Sequence, residues 1–301
     1  MNRSLFKRGQ AWLLFMPQLL VTTLLMIGVI VGMVQSFGII PSLGLTDFTT
    51  DYYRETLANP RLIEAMVFSL RIALGSSFLS LLFGLGIIYI WISAVGKTQW
   101  TESLLRIPII IPHIIVALFA MQFLGRTGIL ARLFYALGYD QAQSLFNQVL
   151  YSDNAWGIII AFLWKEVPFV VFYVYPMVAA VGSSLGQAAR TLGANHRQAF
   201  LRIVLPLSKQ TIFAAFFIIF MYSLGSYELP ALLGPTTPKA LPVMAYEAYG
   251  HPDLHHRPYA MAYNGILLTM GLVLSSLFYG LISWPQLKKA WQVKRRAKHE
   301  A

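Results

Sequence analysis

The chain has 301 residues, 57% hydrophobic and only 12% charged, with a formal net charge of +11 and no cysteine. A soluble domain carries about 25% charged residues, so this composition excludes an ordinary soluble fold. It also excludes disorder, and the missing cysteines exclude a disulfide scaffold, thiolate metal sites and a cysteine nucleophile. An integral membrane protein remains, in line with the mean hydropathy of +0.61.

A membrane-crossing helix needs about 20 mostly apolar residues. Six segments qualify: 11–37, 62–94, 104–124, 156–181, 211–233 and 259–284. The alternation of a transmembrane barrel is absent. The first segment follows Arg3, Lys7 and Arg8. It is too long for a signal-peptide core and reads as a retained anchor. The second is about 50 Å of helix at 1.5 Å per residue. It exceeds the bilayer core, and Arg71 near its start puts the projecting end at the N-terminal side. The expected organisation is a tail at 1–10, a single transmembrane domain at 11–284 and a basic tail at 285–301.

Charge placement orients these spans. With the N-terminus inside, the inner segments hold 15 of the 23 Lys and Arg residues and two acids, a net of +13. The outer segments net −2. Basic residues collect on the cytoplasmic side of short loops, so both termini are expected inside. The +11 therefore reports orientation and lends no support to nucleic-acid binding. The tail KKAWQVKRRAKH reads as an anchor on anionic lipid.

The inner loop at 182–210 reads GSSLGQAARTLGANHRQAFLRIVLPLSKQ. Residues 187–192 are good helix formers with small side chains. Gly193 stands where a helix end needs positive φ. Asn195 is placed to cap a second helix. Ala199, Phe200, Ile203 and Val204 give that helix one apolar face, with Arg197 and Arg202 left for water or headgroups. Pro206 is expected to break it before the fifth span.

The spacing of Gln187-Ala188-Ala189, Gly193 and Ile203-x-Leu205-Pro206 resembles the EAA loop of permease subunits of binding-protein-dependent ABC importers. The resemblance covers most of 62–284. It includes LRIPIIIPHIIVALFA from Leu105, GILARLFYALG from Gly128 and WKEVPF from Trp164. The usual first Glu is Gln187 here, which keeps hydrogen bonding and loses a charge. The resemblance implies an all-α membrane protein of the type I importer permease fold with six spans. Gln187, Ala188, Ala189, Arg190, Leu192 and Gly193 would form the coupling helix that docks on a separate ATPase, supported by Ile203, Leu205 and Pro206. No G-x-x-x-x-G-K-[ST] occurs, so ATP and Mg are expected on the partner ATPase and no cofactor on this chain.

Ionisable groups inside spans are functional candidates by default. Lys165 and Glu166 are adjacent and point about 100° apart on a helix. Glu228 and Tyr227 lie in SYELPALLG, where Gly225 and Pro230 make the helix easy to unwind. Glu166, Tyr227, Glu228 and Asn264 are the candidate pathway residues. Asn264 has the alternative of bonding a neighbouring helix. His251, Asp253, His255 and His256 invite a metal reading, but Pro252 and the adjacent histidines fit a chelate poorly. A loop touching a partner protein is preferred.

The expected partners are an ATPase dimer, an extracytoplasmic solute-binding protein and a second, different permease chain, within a prokaryotic plasma membrane. The SYELPALLG segment and the extra first helix resemble the polyamine, ferric ion, thiamine and sulfate group of permeases. The resemblance implies a small charged solute, a polyamine among the options. A stand-alone secondary transporter or channel is the alternative, and a membrane-embedded hydrolase is disfavoured for want of a catalytic motif.

Overall fold

The computed structural model describes residues 3–93 and 98–297, with side chains described over 14–93 and 98–280. Lys97 and the side chains of the tails at 1–10 and 285–301 lie outside the described residues. In chain order the helices are α1 (Arg3–Ser36), α2 (Asp51–Ala58), α3 (Arg61–Ser93), α4 (Gln99–Ile110), α5 (His113–Leu124), α6 (Ile129–Ala136), α7 (Ala142–Asn147) and α8 (Trp156–Val181). They continue as α9 (Gln187–Thr191), α10 (His196–Ala199), α11 (Leu205–Leu207), α12 (Lys209–Gly225), α13 (Glu228–Leu233), α14 (Leu241–Tyr249) and α15 (Arg257–Ala297). Among the described residues the only β pairing is an isolated bridge, Ile40 to Leu45.

Among the described residues five helical stretches are long and apolar enough to cross a membrane, and the bent pair His196–Leu207 with Lys209–Gly225 brings the number to six. Two predicted spans are not single helices. The segment 104–124 divides into α4 and α5, because Pro112 disfavours helical geometry at Ile111, which sits at ψ 130. The segment 211–233 divides into α12 and α13, with Ser226 extended at ψ 133. Pro168 and Pro176, by contrast, are carried inside α8.

The described residues form two compact units, 1–59 with 244–301 and 60–243. In the first, α1 and α2 both pack on α15. Tyr53 donates to Ser36 Oγ at 2.9 Å, Asn59 donates to Tyr263 Oη at 2.9 Å, and Tyr259 donates to Glu55. From Leu14 onward α1 leaves nearly all its apolar side chains uncovered, as a lipid-facing helix should.

The second unit is built on α3, α8 and α12, each packed on the other two. Two apolar clusters fill it. Phe68, Ile72, Phe162 and Leu229 belong to one, and Ile88, Val170, Val174 and Ile219 to the other. On all three helices a polar side chain lies between these clusters. Ser76 and Ser80 of α3, Glu166 of α8 and Ser223 of α12 are all buried. Helix association in lipid relies on close packing and interhelical hydrogen bonds, because lipid tails are as apolar as leucine. Gly84 supplies the close packing: a Cβ there would lie 2.5 Å from Val170 Cγ1 and 2.8 Å from Val170 Cβ. Gly84→Leu is therefore expected to part α3 from α8 and cost about 2 kcal/mol or more. The measurement is thermal stability in detergent, and an unchanged midpoint would refute the close approach.

Candidate functional site: a hairpin at one end of the bundle and a polar cluster at two helix breaks

The hairpin at 182–210 begins as an extension of α8 rather than as a loop. The helix runs on through a π-helical turn, Gly182–Gly186, into α9. The sequence placed a separate short helix here, and the π turn explains the difference. It admits one extra residue per turn and shifts the register without ending the helix. Gly193 then reverses the chain at φ 94, with its N–H donating to the Arg190 carbonyl at 3.0 Å. Asn195 caps α10 as expected. Its side chain accepts from Gln198 N at 2.8 Å while Gln198 Oε1 accepts from Asn195 N at 3.0 Å. This reciprocal pair is a capping box.

The return limb carries a second π turn, Phe200–Val204, that packs on the first. Gly186 makes the contact possible, since a Cβ there would sit 3.3 Å from Val204 Cγ2. Ala199, Phe200 and Val204 are buried and Ile203 is half-buried, so the apolar face falls where the sequence placed it. The break does not fall at Pro206. Pro206 is carried near the end of the helical run His196–Leu207, after the π turn has already departed from the regular bonding pattern. The chain turns at Ser208 instead, through 70° into α12.

Ala189 is buried within the hairpin at 8% exposure, whereas Gln187, Ala188 and Arg190 are exposed. A cleft of about 210 Å³ lies behind the hairpin, lined by Trp91, Gln187, Arg190 and His196 among others. At the tip, Leu192 is 90% exposed, more than any other large apolar side chain among the described residues. Leu205 is half-buried and Pro206 exposed on the return limb.

Of the pathway candidates, Glu166 is the most enclosed, at 4% exposure. Its carboxylate accepts from Ser80 Oγ at 3.0 Å and from Ser223 Oγ, and Ser76 Oγ donates to Ser223 Oγ at 3.1 Å. It thus links α3, α8 and α12. Lys165 points elsewhere, as adjacent helical positions must, and donates to the Ile111 carbonyl at the α4–α5 break. Tyr227 and Glu228 are exposed at the second break, between α12 and α13. Glu228 acts electrostatically on Lys165, His113 and Tyr222. Tyr222 Oη lies 3.1 Å from His113 Nδ1. Sequence reasoning missed His113 and Tyr222. The proline immediately before His113 was the available signal. Asn264 belongs to the other unit, where it lines a groove of about 440 Å³ with Gly28, Gly32 and Met261.

In the histidine loop, Asp253 accepts from His255 N at 2.9 Å and pairs with His255 Nδ1 at 3.0 Å. These bonds hold its carboxyl below the usual range. The His251 and His256 rings stack at 3.8 Å. Among the described residues no three His, Asp or Glu side chains are arranged to hold a metal ion.

Helices long and apolar enough to cross a membrane, two predicted spans broken, with polar groups at the breaks and a capped hairpin at one end, have the build of a multi-span membrane protein. The family model for the binding-protein-dependent transport system inner membrane component matches residues 86–283, and the chain belongs to that family of ABC importer permeases. It is 29% identical over 224 residues to a molybdate/tungstate transport system permease protein of Pyrococcus abyssi, covering 73% of this chain and 80% of that one. It is 30% identical over 190 residues to a sulfate transport system permease protein of Salmonella typhimurium, covering 61% and 63%. A spermidine/putrescine transport system permease protein of Haemophilus influenzae is 31% identical over 136 residues, covering 45% and 42%. The fold matches a chain of a bacterial alginate ABC transporter, solved in complex with an alginate pentasaccharide-bound periplasmic protein. The TM-score is 0.68 at 20% identity, covering 94% of this chain and 97% of that one. The protein is a multi-pass membrane permease of a binding-protein-dependent importer.

Proposed function

We propose that this chain forms one half of the translocation pathway of an ATP-driven importer and couples to a separate ATPase through the 182–210 hairpin. ATP and Mg belong on that ATPase, and a soluble binding protein delivers a small charged solute to the outer face. Both termini lie inside, with the inner face basic. A second permease chain completes the pathway, a different chain rather than a copy.

One observation carries the coupling role: Leu192, almost wholly exposed, stands at the apex of a hairpin otherwise locked by two π turns and a capping box. A large apolar side chain held in water on a rigid mount is suited to a pocket on a partner. Arg190 and Ala188 flank it on the exposed side of α9. Gln187 can hydrogen-bond the partner there but cannot form a salt bridge. Closure of the ATPase pair would move the docked hairpins, and α9 would pass the motion into α8 without an intervening loop.

The test is co-purification of the chain with the ATPase in detergent. Leu192→Asp is expected to lower recovery of the ATPase at least about tenfold, the loss of one buried apolar anchor, with membrane insertion unchanged. Wild-type recovery would overturn the docking assignment. ATP-independent solute transport by the chain alone would overturn the importer reading and favour a secondary transporter.

A further inference from the structure

The cluster at the two helix breaks takes no part in coupling. Its members come from four helices of one unit: His113 at the first residue of α5, Lys165 in α8, Tyr222 in α12 and Glu228 at the first residue of α13. Tyr222 and Glu228 are exposed and His113 and Lys165 half-buried, so all four remain accessible. Each lies within a segment predicted to cross the membrane, where accessible polar groups mark solute paths.

The donor balance of the cluster is uneven. Lys165 has three N–H donors and uses one on the Ile111 carbonyl. Tyr222 contributes a hydroxyl and His113 a ring nitrogen. The cluster also contains the N-terminus of the 12-residue α5. Of the first amides there, those of Ile115 and Val116 bond the Pro112 carbonyl at 3.1 and 3.3 Å, which leaves those of His113 and Ile114 without helical acceptors, and that end carries about half a positive charge. Against these donors stands one accessible carboxylate, Glu228; Glu166, which also acts on Tyr222, is buried and already accepts from Ser80 and Ser223. Glu228 is carried on the six-residue α13, behind the extended Ser226, and not on a long span.

From this arrangement we infer that the cluster is a transit site for a small oxyanion. Lys165, His113, Tyr222 and the start of α5 would hold it. Glu228 is the resident counter-charge that the arriving anion displaces. The inference rests on the importer reading above and adds the solute class and the residues that hold it. A cation would find one accessible carboxylate with the Lys165 ammonium opposing it. An oxyanion offers several acceptor oxygens to donors that already converge.

The chain has no cysteine, so Tyr227→Cys places a single thiol beside Glu228. Ile114→Cys, at a position 51% exposed beside His113, is a second reporter should the first fold poorly. The full-length chain in membrane vesicles is treated with an anionic sulfonatoethyl and a cationic trimethylammonioethyl methanethiosulfonate. Each rate is divided by that of the same reagent with a free thiol in solution. The anionic reagent is expected to gain about tenfold over the cationic one, which for reagents of opposite unit charge is a local potential of about 1 kT. Lys165→Gln should erase the gain and Glu228→Gln should enlarge it. Millimolar molybdate or sulfate should slow the labelling and spermidine should not.

Preference for the cationic reagent, indifference to Lys165→Gln, or protection by spermidine alone would overturn the site. These results are separable from the docking test. A chain that binds the ATPase yet prefers the cationic reagent refutes the oxyanion site alone. A chain with the expected potential that never binds an ATPase refutes the coupling role alone.

Discussion

Gly193→Pro is expected to uncouple the permease while leaving it folded and inserted. Gly193 sits at φ 94 and its N–H bonds the Arg190 carbonyl at 3.0 Å. Proline fixes φ near −65° and has no N–H, so both features are lost, at about 3 kcal/mol or more. The hairpin tip must rearrange, carrying Leu192 away from its position. The two apolar clusters of the bundle hold no residue between 182 and 199, so the cost stays local. Recovery of the ATPase and ATP-driven uptake should each fall at least about tenfold, with expression and membrane insertion near wild type. Gly193→Asn should be milder, because asparagine tolerates positive φ better than other side chains. Normal uptake by the proline variant would show that the tip conformation is irrelevant to coupling.

The second large effect is expected at Glu166. Glu166→Ala removes the acceptor shared by Ser80 and Ser223 and leaves two hydroxyls without that partner between α3, α8 and α12. Each stranded buried donor costs about 1–3 kcal/mol, and the lost side-chain volume leaves a cavity as well. A loss of about 2–4 kcal/mol follows, from the same principles. Glu166→Gln keeps an acceptor and the volume, and both hydroxyls can rotate to suit it, so it should lie within about 1 kcal/mol of wild type. Melting in detergent and urea-dependent unfolding would measure both. Equal stability of the alanine and glutamine variants would refute a bridging role. If Glu166→Gln were stable but inactive in uptake, the carboxyl would have a transport role beyond the bridge.

Some of this was legible from residue order because the physics is local. Asn195 with Gln198 gives a capping box from their spacing alone, and Gly193 marks a reversal because no other residue takes positive φ so readily. The apolar face of Ala199, Phe200 and Val204 follows from period. Other features were illegible because they depend on what lies across a helix interface. Ala189 was read as a docking residue for its small size. It is buried within the hairpin, so its size also serves the packing of the hairpin itself. Pro206 was read as the breaker before the fifth span, and the chain does turn before that span, but two residues later, at Ser208. His113 and Tyr222 are 109 residues apart in sequence, and no local pattern announces such a pair.

The sequence by itself determined the solvent of this protein and marked out the 182–210 hairpin. Both follow from quantities that add along a chain: apolar length against bilayer thickness, and motif spacing. Only the tertiary structure decided which polar groups in the spans meet. Lys165 and Glu166 are neighbours in sequence, yet one reaches the carbonyl at a helix break and the other a serine layer between two apolar clusters. A helix turns each residue about 100° from the last, so adjacent charges inevitably part. The helices packed on each side then decide what each one finds.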